Sequence, residues 1–252
     1  MSLRSGLYVL ALCAPLLVAT AAEQDGRLPQ SSQAAKLNAE LGIAYLERGD
    51  VTLAQQKIER ALGQNSSDPD VQTAAGILYE RIGAFDKADS HYQAAMRGEG
   101  NDPNRQNNYA GFLCRRGSYE KGHKLLEETA RNQRYATPWV AMTNAGVCAR
   151  GNKNIEQAER DFKAALNSNP TYPDALLQLA DLNFSRGDLI NARGYLSRMV
   201  GSSSTSADAL LLGVRIETAA GDPRAAKEFA DKLRRDFPDA PQVRQLDEVA
   251  TP

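Results

Sequence analysis

The sequence predicts an all-α fold, a right-handed superhelical solenoid of six helix-turn-helix repeats. Apolar residues follow the spacing of one helix face. Prolines stand at the expected unit boundaries or turns, where a missing amide donor does least harm: Pro69, Pro103, Pro138, Pro173, Pro223 and Pro238. Residues of one type recur 34 positions apart in the pairs Gly42 and Gly76, Tyr45 and Tyr79, Gly49 and Gly83, Ala54 and Ala88, and Ala61 and Ala95. Such a unit buries its apolar faces only by stacking on its neighbours.

This period and these residue types are typical of the tetratricopeptide repeat. The repeat has Gly or Ala and an aromatic residue in its first helix, Gly at the turn, and two alanines around a bulky residue in its second helix. Unit 1 starts at Ala35 and unit 2 at Pro69, and both follow this pattern closely. Unit 3 starts at Pro103 and carries Tyr109, Ala110, Gly117, Gly122 and Leu126 at the corresponding positions.

The second half of the chain keeps the pattern after one insertion. Unit 4 fits only if two extra residues lie between Asn132 and Thr137, and insertions at one place in a repeat predict a loop. The register then continues to Gly221, which gives six units. The Ser-rich stretch from Gly201 to Ser206 is predicted to be an inter-repeat loop, because small residues bury too little surface to order themselves.

The six units are predicted to form one domain over residues 35–240. Residues 1–21 are predicted to be a secretory signal peptide, because Arg4 precedes an apolar stretch that ends in the cleavage motif Ala19-Thr20-Ala21. We expect a flexible polar arm over residues 22–34 and a C-terminal tail over residues 241–252. Cys13 follows Leu12 rather than a small residue, so the sequence favours an unlipidated periplasmic product over a lipoprotein.

Composition and motifs argue against an enzyme. The chain has 30 Lys and Arg residues against 31 Asp and Glu residues, a balance that argues against nucleic acid or an anionic membrane as the main partner. No nucleophile elbow, phosphate-binding loop or dinucleotide fingerprint occurs. His91 and His123 lie in different units without partners at metal-ligand spacing, and we interpret them as ordinary helix residues. We therefore expect no catalytic residue, metal, cofactor or small-molecule substrate.

The two cysteines of the repeat region suggest a cross-link. Cys114 and Cys148 fall at similar levels of the first helices of units 3 and 4, which should be neighbours. In an oxidising compartment such a pair is a disulfide candidate. The alternative is a pair of buried free thiols, because first helices of neighbouring units are often too far apart to be bridged.

A protein-binding groove is predicted on the concave wall formed by the first helices. Its N-terminal half is expected to carry an apolar strip of Ile43, Leu46 and Ile77, which could anchor a partner segment. Two asparagines flank the strip, and two charged residues complete the predicted groove: Asn104, Asn107, Glu80 and Arg115. The alternative is that Ile43 and Ile77 only complete the packing between repeats.

Four segments together resemble one family. The run from Asn107 to Cys114 is similar to the N-N-Y-G-x-F-L-C segment of the type IV pilus biogenesis and stability proteins of the PilF/PilW group. The runs Asn144 to Cys148 and Leu210 to Arg215, followed by Asp236-Phe237-Pro238, resemble further segments of these proteins. The resemblance covers nearly all of residues 35–240.

The resemblance implies a pilotin with six tetratricopeptide repeats. Such a protein would lie in the periplasm at the inner face of the outer membrane and bind the type IV pilus secretin, whose localisation or multimerisation it supports. Membrane association would be indirect, or through a lipid anchor at Cys13. The alternative function is a general periplasmic scaffold for another envelope assembly complex, which would show the same repeats.

Overall fold

The computed structural model describes residues 30–98, 100, 102–200 and 205–249. These residues form thirteen helices and no strand. The helices are α1 (Gln30–Glu47), α2 (Val51–Gln64), α3 (Pro69–Arg81), α4 (Phe85–Met96), α5 (Pro103–Arg115), α6 (Tyr119–Ala130), α7 (Pro138–Gly151), α8 (Ile155–Ser168), α9 (Pro173–Ser185), α10 (Leu189–Val200), α11 (Ala207–Ala219), α12 (Pro223–Asp236) and α13 (Pro241–Val249).

Helices α1 to α12 form six consecutive helix-turn-helix units. The two helices of each unit pack on one another, and the second helix of each unit also contacts the first helix of the next. First helices of neighbouring units contact each other along the whole series from α1 to α11. The predicted all-α solenoid of six tetratricopeptide-type units is confirmed, and the first helices form one of its walls.

The turns inside the units explain the recurrent glycines. The glycine after the first helix has a φ between 72° and 81° in five units, a left-handed conformation that glycine adopts without steric cost. These glycines are Gly49, Gly83, Gly117, Gly187 and Gly221. In unit 4 the same place is held by Lys153 with φ 60°. After three of these turns an aspartate caps the second helix, since Asp50 accepts from the Leu53 amide, Asp188 from the Asn191 amide and Asp222 from the Ala225 amide.

Small residues in the first helices let the two helices of a unit approach closely and bury apolar side chains between them. A methyl group on Gly146 would lie 2.4 Å from the ring of Phe162, and one on Gly76 would lie 2.9 Å from the ring of Tyr92. Phe162 and Tyr92 are themselves at most 2% exposed. The glycines of the first helices are therefore contact sites for the bulky residue of the second helix.

The structure corrects the two ends of the predicted repeat domain. Helix α1 begins at Gln30, so residues 30–34 of the predicted flexible arm 22–34 are helical. The predicted tail 241–252 contains α13, which forms because Val243 and Leu246 lie on one helix face and pack on α11 and α12. The connection from α6 to α7 contains the insertion between Asn132 and Thr137.

Several predictions fall outside the described residues. They are the signal peptide 1–21 with Cys13, residues 22–29 of the arm, residues 201–204 of the Ser-rich loop and residues 250–252 of the C-terminal tail. Within the described part of the chain, no helix combines the length and the apolarity that crossing a bilayer requires.

Candidate protein-binding groove

An open cavity of about 440 Å³ lies on the wall formed by α1, α3 and α5. Its base is apolar, with the half-buried Ile43 and Ile77 beside the buried Ala39 and Ala74. Polar residues of α3 and α5 and of the turn before α5 close the other sides: Asp70, Thr73, Asp102, Asn104, Arg105 and Asn108. We call this cavity the N-terminal groove. The structure thus brings Ile43, Ile77 and Asn104 together, as the sequence predicts.

Ion pairs join three successive units along one side of the N-terminal groove. Lys36 Nζ lies 3.1 Å from Asp70 Oδ2, and Arg105 Nη1 lies 3.1 Å from Asp70 Oδ1. Arg105 Nη1 is also 3.6 Å from Asp102 Oδ2. The hydrogen bond from Lys36 to Asp70 raises the pKa of the Lys36 amine. Asp70 therefore bridges a cation of unit 1 and a cation of unit 3.

Leu46 does not line the groove, and that part of the prediction is wrong. Its side chain is 3% exposed and belongs to the apolar core shared by units 1 and 2. Its repeat equivalents, Glu80 and Cys114, are also largely buried. This position faces the seam between repeats, so an acidic residue at position 46 would disrupt packing instead of probing a binding surface.

Glu80 and Arg115 lie outside the N-terminal groove and bind each other. Arg115 Nη2 donates to Glu80 Oε2 at 3.0 Å, and Arg115 Nε lies 2.5 Å from Glu80 Oε1. The Tyr92 hydroxyl donates to Glu80 Oε2 at 3.1 Å. This hydrogen bonding to Glu80 raises the pKa of Arg115, while burial raises the pKa of Tyr92. The pair acts as a structural link between units 2 and 3.

Asn107 also lies outside the N-terminal groove, since its Oδ1 accepts from Asn144 Nδ2 at 2.9 Å. Asn108, one residue later, lines the groove instead. Asn104 and Asn108 are four residues apart and share a helix face, a spacing that could have identified the pair from the sequence. Asn107 belongs to the seam between units 3 and 4.

A disulfide joins Cys114 of α5 to Cys148 of α7, with an S–S distance of 2.01 Å and a Cα–Cα distance of 5.2 Å. The two cysteines contribute to a smaller cavity of about 220 Å³, which Arg115 and Asn144 also line. The bridge therefore connects the first helices of units 3 and 4 beside the Asn107–Asn144 hydrogen bond.

The two histidines lie in different units, and each contacts a polar side chain of another helix. His91 Nδ1 is 2.7 Å from Gln72 Oε1, and its ring stacks on Tyr79 with centroids 5.1 Å apart. His123 Nε2 is 2.8 Å from Asp161 Oδ2. No group of three or more His, Cys, Asp or Glu side chains in the described ranges is arranged to hold a metal ion.

Comparison with known proteins relates this chain to the tetratricopeptide repeat proteins. A family model described as tetratricopeptide repeat matches residues 39–104 and 143–207. The chain is 27% identical to the type IV pilus assembly protein PilF of Pseudomonas aeruginosa, over 79% of each chain.

Solved structures agree with this similarity. The crystal structure of PilW, described as a widely conserved type IV pilus biogenesis factor, superposes with a TM-score of 0.68 and 26% identity, covering 85% of this chain and 98% of that one. The Pseudomonas aeruginosa PilF structure gives a TM-score of 0.66 and 25% identity, covering 87% and 99%. The resemblance to the PilF/PilW proteins that the sequence indicates is confirmed.

Proposed function

Because the chain belongs to the tetratricopeptide repeat family and resembles PilF along most of its length, we propose that it acts in type IV pilus biogenesis as a pilotin. In this role it binds the outer-membrane secretin subunit without catalysing a reaction. It works in the periplasm at the inner face of the outer membrane and supports localisation and multimerisation of the secretin ring.

The observation that carries the proposal is the extent of the similarity to PilF and PilW. Both solved structures align over nearly their whole length with one continuous solenoid of this chain. Proteins of this repeat class present their stacked first helices as an extended binding surface. The same wall is formed here by α1, α3, α5, α7, α9 and α11.

We place secretin capture at the N-terminal groove. Its base of Ile43 and Ile77 supplies apolar surface for an anchoring side chain, and the side-chain amides of Asn104 and Asn108 are positioned to hydrogen-bond a docked segment. Asn104 is exposed and accordingly free to contact a partner without unfolding.

The experiment uses a strain that lacks the gene and expresses this chain or a variant. Ile43→Asn, which places an amide in the groove, should reduce secretin multimers and surface pili. Asn104→Ala, which removes one exposed amide, should have a smaller effect in the same direction. Secretin multimers are measured in outer-membrane fractions by immunoblot after mild detergent treatment, and pili are counted by electron microscopy.

Ile190→Asn is the matched control, because Ile190 on α10 is 84% exposed and lies outside the groove. All variants must keep the wild-type helical circular-dichroism spectrum and a cooperative melt. If a folded Ile43→Asn protein supports multimers and pili at the wild-type level, the groove is not the secretin site. If the gene deletion itself leaves multimers and pili unchanged, the pilotin role is wrong, and the envelope phenotype of that strain would then point to another scaffold function.

A further inference from the structure

The N-terminal groove carries an excess of negative charge. Four carboxylates line it, from Glu40, Glu47, Asp70 and Asp102, against the guanidinium of Arg105 and the Lys36 ammonium that pairs with Asp70 beside the groove. Clefts lined by one sign of charge raise the local concentration of ligands of the opposite sign. The charge of the groove contrasts with the net charge of −1 on the whole chain, so the imbalance is local.

The carboxylates of this groove fall into two groups. Asp70 and Asp102 on one side are paired with Lys36 and Arg105. Glu40 and Glu47 on the other side belong to α1, are exposed, and form no ion pair with any residue that the structure describes. The uncompensated charge of the groove therefore lies along α1.

The spacing of these residues on α1 is regular. Ile43 is three residues after Glu40 and four before Glu47, so all three lie on one face of the helix. Seven residues at a rise of 1.5 Å place the two carboxylates about 10 Å apart along the helix axis. A half-buried aliphatic side chain thus stands between two exposed negative charges.

We propose that the N-terminal groove recognises a basic segment of its protein partner, in which two Lys or Arg side chains about 10 Å apart flank an aliphatic anchor. The anchor packs on Ile43 and Ile77, and the two cations pair with Glu40 and Glu47. In a helical segment the two cations are seven residues apart. In an extended segment, where every second side chain faces the same side, they are four residues apart with the anchor midway, and the length of Lys and Arg side chains absorbs the difference in spacing. This inference rests on the proposed function for the location of partner binding and adds the chemistry that the groove selects.

The experiment measures binding of synthetic peptides to the purified protein by fluorescence anisotropy. The helical probe is a labelled 18-residue peptide with Lys at positions seven apart and Leu between them on the same face. Its control has the same composition with the two Lys residues moved to the opposite face. An extended probe has Lys at positions four apart with Leu midway between them, and its control has Glu in place of Lys.

We expect at least one probe to bind at least about three-fold more tightly than its control, and the preference should shrink as salt is raised from 50 to 500 mM. Glu40→Gln and Glu47→Gln should each weaken that binding about two- to five-fold, a range consistent with one exposed ion pair. Glu128→Gln on α6 is the control, because Glu128 is likewise exposed within a helix but lies outside the groove.

Two outcomes would overturn the inference. One is equal binding of the probes and their controls, and the other is salt-independent binding that neither glutamine variant weakens. Because the assay contains no secretin, it separates the two claims. If the peptides bind selectively but pili form without the protein, the basic-segment inference stands and the pilotin role is wrong. If pili are lost without the protein but the peptides bind without selectivity, only the pilotin role stands.

Discussion

Gly122 stands at a residue position where the other five units carry alanine. Those residues are Ala54, Ala88, Ala158, Ala192 and Ala226, all of them buried. In unit 3 a methyl group on Gly122 would lie 2.4 Å from Cys114 Sγ and 2.9 Å from the Ala110 carbonyl oxygen. The volume that an alanine fills in the other units is taken here by the disulfide sulfur.

We therefore predict that Gly122→Ala lowers the free energy of unfolding by about 1–3 kcal/mol through overpacking. In a Cys114→Ala/Cys148→Ala background the cost should fall, because the sulfur is gone and only the contacts with the Ala110 carbonyl oxygen and the backbone nitrogen of residue 114 remain. Urea denaturation of the four proteins gives the coupling as a double-mutant cycle. An equal cost in both backgrounds would show that the sulfur does not set the size of this residue.

His123 and His91 should make opposite contributions to the pH dependence of stability. The hydrogen bond to Asp161 raises the pKa of His123, whereas burial lowers the pKa of His91, with Lys87 adding to the effect. A raised folded-state pKa gives stability that is fully present below the unfolded value of about 6.5 and is lost as pH rises through the folded value. A lowered one gives stability that is present above about 6.5 and is lost as pH falls.

We predict that His123→Gln costs more stability at pH 5.5 than at pH 8, by roughly 1 kcal/mol for a charge-assisted hydrogen bond. His91→Gln should show the reverse trend. Urea midpoints and slopes measured at the two pH values, with wild type in parallel, give both differences. A pH-independent cost for His123→Gln would mean that the protonated ring does not donate to Asp161 in solution.

At the scale of single elements, the disulfide fixes α5 relative to α7 across a separation of 34 residues. Closing a loop of this length restricts the unfolded chain, and the gain is about 2–4 kcal/mol. We predict that protein isolated from an oxidising compartment contains the bridge, and that Cys114→Ser/Cys148→Ser lowers the free energy of unfolding by this amount. Mass spectrometry of unreduced peptides detects the bridge, and two thiols that can be alkylated in the native protein would contradict it.

Helix α13 closes the C-terminal end of the solenoid. Leu246 is 3% exposed and packs with Leu210, Leu211 and Leu233 of unit 6. We predict that Leu246→Ala costs about 2–4 kcal/mol, the usual range for a buried leucine. Ile190→Ala, at an 84% exposed position, should change stability by less than about 0.5 kcal/mol. Thermal and urea unfolding measure both, and a neutral Leu246→Ala would show that α13 is not part of the cooperative fold.

The sequence predicts the repeats well because the small residues recur at the positions where the two helices of a unit approach each other closely. The separation of 34 residues that relates Gly42 to Gly76 also relates Lys36 to Asp70, so the ion pairs between units could have been found by the same subtraction.

The sequence misplaces Leu46 because Ile43 and Leu46 are only three residues apart on α1, and the boundary between the groove and the seam falls between them. That boundary depends on the docking of the next unit, which periodicity does not specify.

At the scale of the whole molecule, the two ends of the solenoid differ. On α1, Leu37 is 58% exposed and Leu41 is 39% exposed. Their equivalents in unit 2, Val71 and Ala75, are fully buried in the core shared with unit 1. Unit 1 therefore exposes the face that later units pack on a predecessor, while α13 covers the opposite end.

Stability in a solenoid is close to a sum of unit and neighbour terms, so this asymmetry predicts an order of local opening. Amide hydrogen exchange followed by mass spectrometry should show α1 and α2 exchanging before α11 and α12, because α13 adds a neighbour interface at the C-terminal end. Units 3 and 4 should exchange most slowly and lose part of that protection when the disulfide is reduced. If α11 and α12 exchange before α1 and α2, the exposed leucines do not mark the less stable end, and the packing of α13 on unit 6 contributes little to the stability of that unit.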